Sequence, residues 1–397
     1  MNVSMITSEC IGCSVCVVKC PQNAIRMKKN SYGFAYPEID YEKCNDCSIC
    51  IKLCPTQATL SKNEKIGTYY GWNLDDDERI SSSSGGIFSL IAYNIIRSNG
   101  LVIGAALDLT NRVLIHITSD ETPIENMKRS KYLESDLRNT FFDTLGNLEK
   151  GRNVLFVGTP CQVSGLKKYL KKDYKNLITV DFVCGGVNSP RIFQDYLLYL
   201  EKKYSSKVVD VNFRPKVYGW LEHAIDIKFE NKSQYTKDYL SDPFFQGFFR
   251  HLFLRESCYN CKFIDSHHSD IILADFWGYL QLNKPLSNID IQNGVSLIVT
   301  NSLKGENLIE NIERDAFIKK ISTSNADYNF KRNQYGQDEL SNRNYFLNLR
   351  DSLGFKGAFK KMYGKDLLKS EIRFFMKKNL KKTNNIIRGF NETNNLK

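Results

Sequence analysis

The chain lacks any apolar run long enough to cross a bilayer. Its longest, residues 100–107 and 153–158, fall well short of the ~20 residues a spanning helix needs. Its first residues, MNVSMITSECIGC, carry neither the basic nor the apolar segment of a secretory signal. The expectation is a soluble, cytoplasmic protein whose cysteines stay reduced. No G-x-G-x-x-G follows a strand-like segment, so a Rossmann nicotinamide site has no support. Net positive charge is scarce over most of the length as well. The net charge is +11, but residues 355–397 hold twelve Lys and Arg against three Asp and Glu, leaving the other 354 residues at +2. A basic stripe across a folded face, as nucleic acid requires, is not expected.

Cysteine is what the chain has. Eight of its twelve fall in two copies of C-x2-C-x2-C-x3-C-P: Cys10, Cys13, Cys16, Cys20 with Pro21, and Cys44, Cys47, Cys50, Cys54 with Pro55. The tight spacing wraps three thiolates around one 4Fe–4S cube, and the cysteine before proline ligates the other cube of the pair. Zinc sites separate their C-x2-C pairs by a long spacer, which is not the pattern here. Residues 1–64 resemble a bacterial-type two-cluster ferredoxin. Within it, 31–41 reads as a turn with short strands, and the segments after each proline, such as 22–25, read as short helices.

At 397 residues and 42% hydrophobic, the chain exceeds one small module and can bury a sizeable core. Residues 65–79, with the acidic run Asp75, Asp76, Asp77, Glu78, read as a linker. From 80 to 330, short apolar strands alternate with helical segments, the pattern of a mixed α/β body, α+β overall. A helix is expected over 87–98, strands over Leu101–Asp108, Val154–Val157 and 178–182, and a helix from Cys161 through Tyr169. Two further cysteines, Cys161 and Cys184, follow strand ends, where α/β sheets place their sites. The last two, Cys258 and Cys261, form a C-x2-C. By residue type alone, these four suit a third 4Fe–4S cluster, a zinc site or four buried thiols. A nucleophilic Cys161 has no nearby His to act as its base.

The segments SSSSGG (81–86), KRSKYLES (128–135), LFVGTPCQ (155–162), DFVCGGVNSP (181–190), FRPKVYGW (213–220), LRESCYNC (254–261) and ADFWGY (274–279) follow one another in order. Together they resemble the coenzyme F-420 hydrogenase/dehydrogenase beta-subunit family, over roughly residues 80–305. The resemblance implies an FAD in the α/β body and a 4Fe–4S cluster beside it on Cys161, Cys184, Cys258 and Cys261. It also implies electron transfer between clusters and a two-electron acceptor such as coenzyme F-420. Other readings are a non-catalytic electron-transfer subunit of a larger enzyme, or a reductase of another substrate such as a glycan-pathway intermediate. The expected partners are a redox protein or electron donor and a small-molecule acceptor.

Hydroxyls and glycines just before a helix suit a pyrophosphate, which makes Ser83, Ser84, Gly85 and Gly86 candidates for the flavin. Ser130 and Lys131, with Tyr132, offer charge and a stacking surface. Arg214 and Lys216 suit the anionic end of a flavin or substrate. Asp275 is placed to orient a ligand and Trp277 to cover it, whereas His267 and His268 read as surface residues. The chain has Cys184-Gly185-Gly186 where relatives often carry CHG, and Ala274 where they carry Gly. Residues 331–397 read as a helical basic tail. Its Leu367, Leu368, Ile372, Phe375 and Leu380, around Arg373, Lys377 and Lys381, suit a helix packed on its own domain. A membrane-surface helix is the alternative.

Overall fold

The computed structural model describes residues 2–57, 60, 61, 64–120, 124–137, 139–330 and 335–394, with side chains as far as residue 376 except at 371. Its first two strands, β1 (Ile25–Lys29) and β2 (Ala35–Ile39), pair antiparallel and flank the cysteine loops. The short helices lie before each proline, not after it. Val15–Val18 and Ile49–Lys52 each carry the third cysteine of their run, Cys16 or Cys50, and residues 22–24 lead from a turn into β1, which begins at Ile25. Each of these helices starts from a left-handed serine, Ser14 or Ser48. That local bend lets the third cysteine turn back toward the first two.

The expected linker is part of the body. Residues Gly67–Asn73 form β3, a nearly fully buried strand, and the acidic run caps and begins the helix Asp76–Ser81. The body's next strands are β4 (Leu101–Asp108), β5 (Val113–Ser119), β6 (Ser135–Asp136), β7 (Val154–Val157) and β8 (Leu177–Phe182). Strands β9 (Val208–Asn212), β10 (Ala224–Phe229) and β11 (Gln234–Asp238) make a separate antiparallel sheet. Then come β12 (Ile271–Asp275), β13 (Ser296–Thr300) and β14 (Ala316–Lys320). The large sheet has nine strands in the order β14-β3-β13-β12-β8-β7-β4-β5-β6. Its centre, β12-β8-β7-β4, is parallel, and antiparallel pairs flank it on both sides.

Helices cover the central strands because their apolar residues recur at helical spacing. Ile87–Arg97 buries Ile87, Ile91, Ala92 and Ile95; full burial of such side chains contributes about 1.5–3 kcal/mol each. Pro160–Leu170 starts from a capping box in which Thr159 and Gln162 satisfy each other's backbone N–H groups. Pro190–Tyr204 packs Ile192, Phe193, Tyr196 and Leu197 into an aromatic core with Phe244, Phe253 and Phe213.

The tail joins that same core. Its helical stretch Gln337–Asn394 breaks at Gly354 and Tyr363 and buries Phe346, Phe355 and Phe359 there. Arg373 reaches Asp238 at 3.1 Å, while Leu368, Ile372 and Phe375 stay exposed. The side chains of Lys377, Leu380 and Lys381 lie outside the described residues. Among the described residues, no helix is long and apolar enough to cross a membrane.

Candidate redox site

Three small cavities are each walled by four cysteines. Cys10, Cys13, Cys16 and Cys54 line the first, of about 20 Å³. Cys20, Cys44, Cys47 and Cys50 line the second, also about 20 Å³. The fourth cysteine of each run therefore serves the other run's cavity. Cys161, Cys184, Cys258 and Cys261 line the third, of about 40 Å³.

The third set is assembled by the sheet. Cys161 sits in the first turn of Pro160–Leu170, Cys184 lies just past the end of β8, and Cys258 closes a short turn at Glu256–Cys258. Among the described residues, no three His, Cys, Asp or Glu side chains converge on one point as a single metal ion demands. Zinc draws all four sulfurs to ~2.3 Å from one centre, whereas a cube takes one thiolate at each of four separated irons.

Burial pushes the Cys13 and Cys161 thiols well above their usual pKa, and that of Cys258 up to about 12. The neighbouring cysteines add to the rise at all three. A metal taken up by these thiols would have to displace a proton from each. Sulfurs also meet hydrogen-bond donors: the Ala24 N–H donates to Cys20 Sγ at 3.3 Å and the Gly186 N–H to Cys184 Sγ at 3.4 Å. The Thr159 hydroxyl lies 3.0 Å from Cys161 Sγ. Contacts of this kind set cluster potentials.

A larger cavity of about 390 Å³ opens at the carboxyl ends of β7, β8 and β12, where parallel sheets form their binding crevices. Val183, Cys184, Gly186 and Val187 line both it and the third cysteine cavity, so the two share a wall. Ser83, Ser84, Gly86, Ser130, Lys131, Tyr132 and Arg214 all line the large cavity, as do Asp275 and Trp277. Ser83 Oγ accepts the Ser130 N–H at 2.8 Å, which joins SSSSGG to KRSKYLES. Gly86, left-handed at φ 81°, starts the helix Ile87–Arg97 with no side-chain cap, so its first N–H groups keep their capacity for an anion.

Two glycine and lysine candidates do something else. A Cβ on Gly85 would lie 2.5 Å from the Gly71 carbonyl oxygen and 2.9 Å from the Ser296 nitrogen, so Gly85 presses the loop onto the sheet. Lys216 does not line the cavity. Its Nζ donates to the carbonyls of Arg79 (2.5 Å), Ser84 (2.6 Å) and Asn293 (2.6 Å), tying the serine loop to the 288–294 turn. Lys131 is likewise held by the carbonyls of Met127, Lys128 and Arg129. Burial pulls the pKa of both lysines down to about 7, helped by Arg79 for Lys216 and Arg129 for Lys131. Three carbonyl acceptors each match the three protons of an ammonium group.

Arg214 Nη1 pairs with Asp275 Oδ2 at 2.7 Å, and the Trp220 indole N–H donates to Asp275 Oδ1 at 2.8 Å. Burial works against the Asp275 carboxylate, but Arg214 holds its pKa below the usual range. Trp277 stacks on Trp220 at 4.8 Å. Arg214 Nη2, Arg129 Nε and His116 Nδ1 are buried without a partner, and all three residues line the cavity. Two unmatched guanidinium N–H groups and an uncapped helix start leave the cavity wall with donors open to an anionic ligand. Sequence reasoning missed His116 and Arg129. His116 is hidden in the alternation of β5; the signal for Arg129 was its place inside KRSK. The histidines expected on the surface turn inward instead: His267 Nδ1 lies 2.8 Å from Asp181 Oδ1, and His268 Nδ1 lies 3.1 Å from the Ser61 carbonyl oxygen.

These cysteine cages define an iron–sulfur electron-transfer protein. Residues 9–58 match the model of the 4Fe-4S dicluster domain, and residues 151–325 match that of the C terminus of the coenzyme F420 hydrogenase/dehydrogenase beta subunit. Over residues 151–325 the chain is therefore similar to that beta subunit's C terminus, and it carries the dicluster domain ahead of that stretch. A chain of the F420-reducing [NiFe] hydrogenase complex from Methanosarcina barkeri is similar in structure, at 13% identity and a TM-score of 0.47. That match covers 73% of this chain and 94% of the other. A comparison with curated proteins finds no match.

Proposed function

We propose that the protein is an iron–sulfur flavoprotein oxidoreductase. It passes electrons between the ferredoxin pair, a third 4Fe–4S cluster on Cys161, Cys184, Cys258 and Cys261, and FAD in the 390 Å³ cavity. An organic two-electron acceptor such as coenzyme F-420 completes the path, in either direction. The carrying observation is the shared wall, since Cys184 faces both the third cysteine cavity and the large one. Bound flavin would supply the exchange between one-electron and two-electron steps.

The chain's own groups do the holding. The uncapped helix start at Gly86 and the Ser83 hydroxyl would receive phosphate, with Arg129 and Arg214 as the nearby cations, while the Ser84 hydroxyl donates to the Val295 carbonyl at 2.9 Å and holds the loop. The Asp275 pair fixes the Arg214 fork, and Trp277 closes one side. His116 Nε2 lies 3.1 Å from the Val157 carbonyl oxygen, so that nitrogen is the donor and Nδ1 is left as an acceptor. Burial keeps this ring neutral, with its pKa near 4.

Iron, zinc and extractable flavin per chain, measured on protein reconstituted without oxygen, test the reading. The expected result is about twelve irons and one FAD. About eight irons with zinc and no flavin would overturn it.

A further inference from the structure

Ile11 lines both the cavity of Cys10, Cys13, Cys16 and Cys54 and that of Cys161, Cys184, Cys258 and Cys261. Ile11 is thus common to the walls of these two cages, whereas the cage of Cys20, Cys44, Cys47 and Cys50 shares no lining residue with the body's cage. Beside Ile11 stands Arg255, only 1% exposed. Its backbone belongs to the third cage: its carbonyl accepts the Cys258 N–H at 2.9 Å, and its own N–H donates to the Val187 carbonyl at 2.9 Å. Its side chain belongs to the ferredoxin. Nε donates to the Cys10 carbonyl at 2.6 Å, and Nη2 donates to the Ala35 carbonyl at 2.7 Å. Nη1 pairs with Glu134 Oε2 at 2.5 Å, and the guanidinium lies 4.3 Å from the Tyr36 ring centre.

Gly12 accommodates this approach. Its φ is +71°, and a Cβ there would lie 3.0 Å from Arg255 Nη1. No contact in the proposed flavin cavity requires a buried arginine here. A fixed charge sealed from water acts on its surroundings far more strongly than one at the surface. Such a charge stabilises whichever nearby cluster carries the extra electron, because cluster potential follows local net charge and hydrogen bonding.

We propose that Arg255, balanced by Glu134, is a positioning residue that docks the ferredoxin and sets the potential of the cluster on Cys10, Cys13, Cys16 and Cys54, making it the one that exchanges electrons with the body. The transfer is a single electron. The donor cluster is oxidised, the acceptor cluster is reduced, and no bond or proton moves. The cluster on Cys20, Cys44, Cys47 and Cys50 is then the outer one, met first by an external redox partner. This inference rests on the reading of a third cluster only for the identity of the inner acceptor.

Arg255 and Glu134 make opposite predictions, which separates charge from mere packing. Anaerobic redox titration followed by electron paramagnetic resonance is the measurement, on the full chain carrying Cys258→Ser, so that only the two ferredoxin clusters report. Glu134→Gln removes the balancing negative charge and should raise the potential of one ferredoxin cluster, changing its reduced-to-oxidised ratio at fixed potential about tenfold. The double variant Arg255→Met/Glu134→Gln, which leaves no buried charge unpaired, should cancel that rise, while the other cluster stays unmoved. Arg255→Lys keeps the charge and should hold the potential near that of the parent. No shift in either cluster, or an equal shift in both, overturns the inference. Eight irons in the wild-type chain would sink the third cluster while leaving this measurement on the ferredoxin pair intact.

Discussion

The ferredoxin builds its cages from sequence neighbours, and the body builds a cage of the same type from residues a hundred positions apart. In residues 10–54, a repeat shifted by 34 places eight thiols around two cavities, with only a four-residue helix in each loop. Between 161 and 261, three loops must be carried to one point by β7, β8 and the strand-like bridge between Asn188 and Leu254. The first kind of site survives as long as its loops are intact. The second survives only as long as the sheet is. Under the proposed function, iron in the third cage would report on the whole body, and iron in the ferredoxin chiefly on its own loops.

The largest break in that comparison is Cys258→Ser. It should remove about four of about twelve irons and leave the ferredoxin pair's resonance signals in place, as read by iron analysis and paramagnetic resonance. Next comes Arg214→Met, which strands the Asp275 carboxylate in the interior. Breaking a buried pair costs about 3–5 kcal/mol, so denaturant unfolding of the body should move sharply, with flavin retention falling at least about tenfold. The ferredoxin irons should stay.

Gly85→Ala is milder. Its Cβ meets backbone atoms on two strands, and overpacking of that kind costs about 1–3 kcal/mol; thermal unfolding should show it, together with weakened flavin binding. The smallest effect is set by His116. Burial depresses its pKa to about 4, so the neutral ring stabilises the fold above its ordinary pKa near 6.5. That stability is lost as pH falls from about 6.5 toward 4 and changes no further below, a loss of about 1–3 kcal/mol. Comparing wild type with His116→Gln over this range isolates it, because the variant should lack that part of the pH dependence.

The cysteine cages of the ferredoxin were legible in the sequence because their geometry is local. Strands such as Val154–Val157 and Leu101–Asp108 were legible too, being apolar runs bounded by turn residues. Strand β3 was not. Its sequence GTYYGWN has no aliphatic run, and its burial comes from β13 and β14, more than 220 residues later in the chain. The helices that carry the third cysteine of each run were misplaced because four residues carry no periodicity. His267 and His268 look like solvent-facing polar residues until Asp181 and Ser61 are seen beside them. Lys216 shows how a basic residue near a site is overread: three carbonyls consume all its donors. Arg255 and Glu134, 121 positions apart, leave no pattern that a linear reading could join.

The position of β3 bears on how the protein is made. A ribosome releases the ferredoxin loops before the body, and all their cysteines are made long before Arg255, which braces Cys10. The strand that follows immediately must wait, without its neighbours, until β13 and β14 have been synthesised. Pairings so distant in the chain form slowly, and an edge left open in the meantime invites association. Early loading of iron at the front of the chain, followed by late closure of the sheet, would give the cell two separable moments of maturation in one polypeptide.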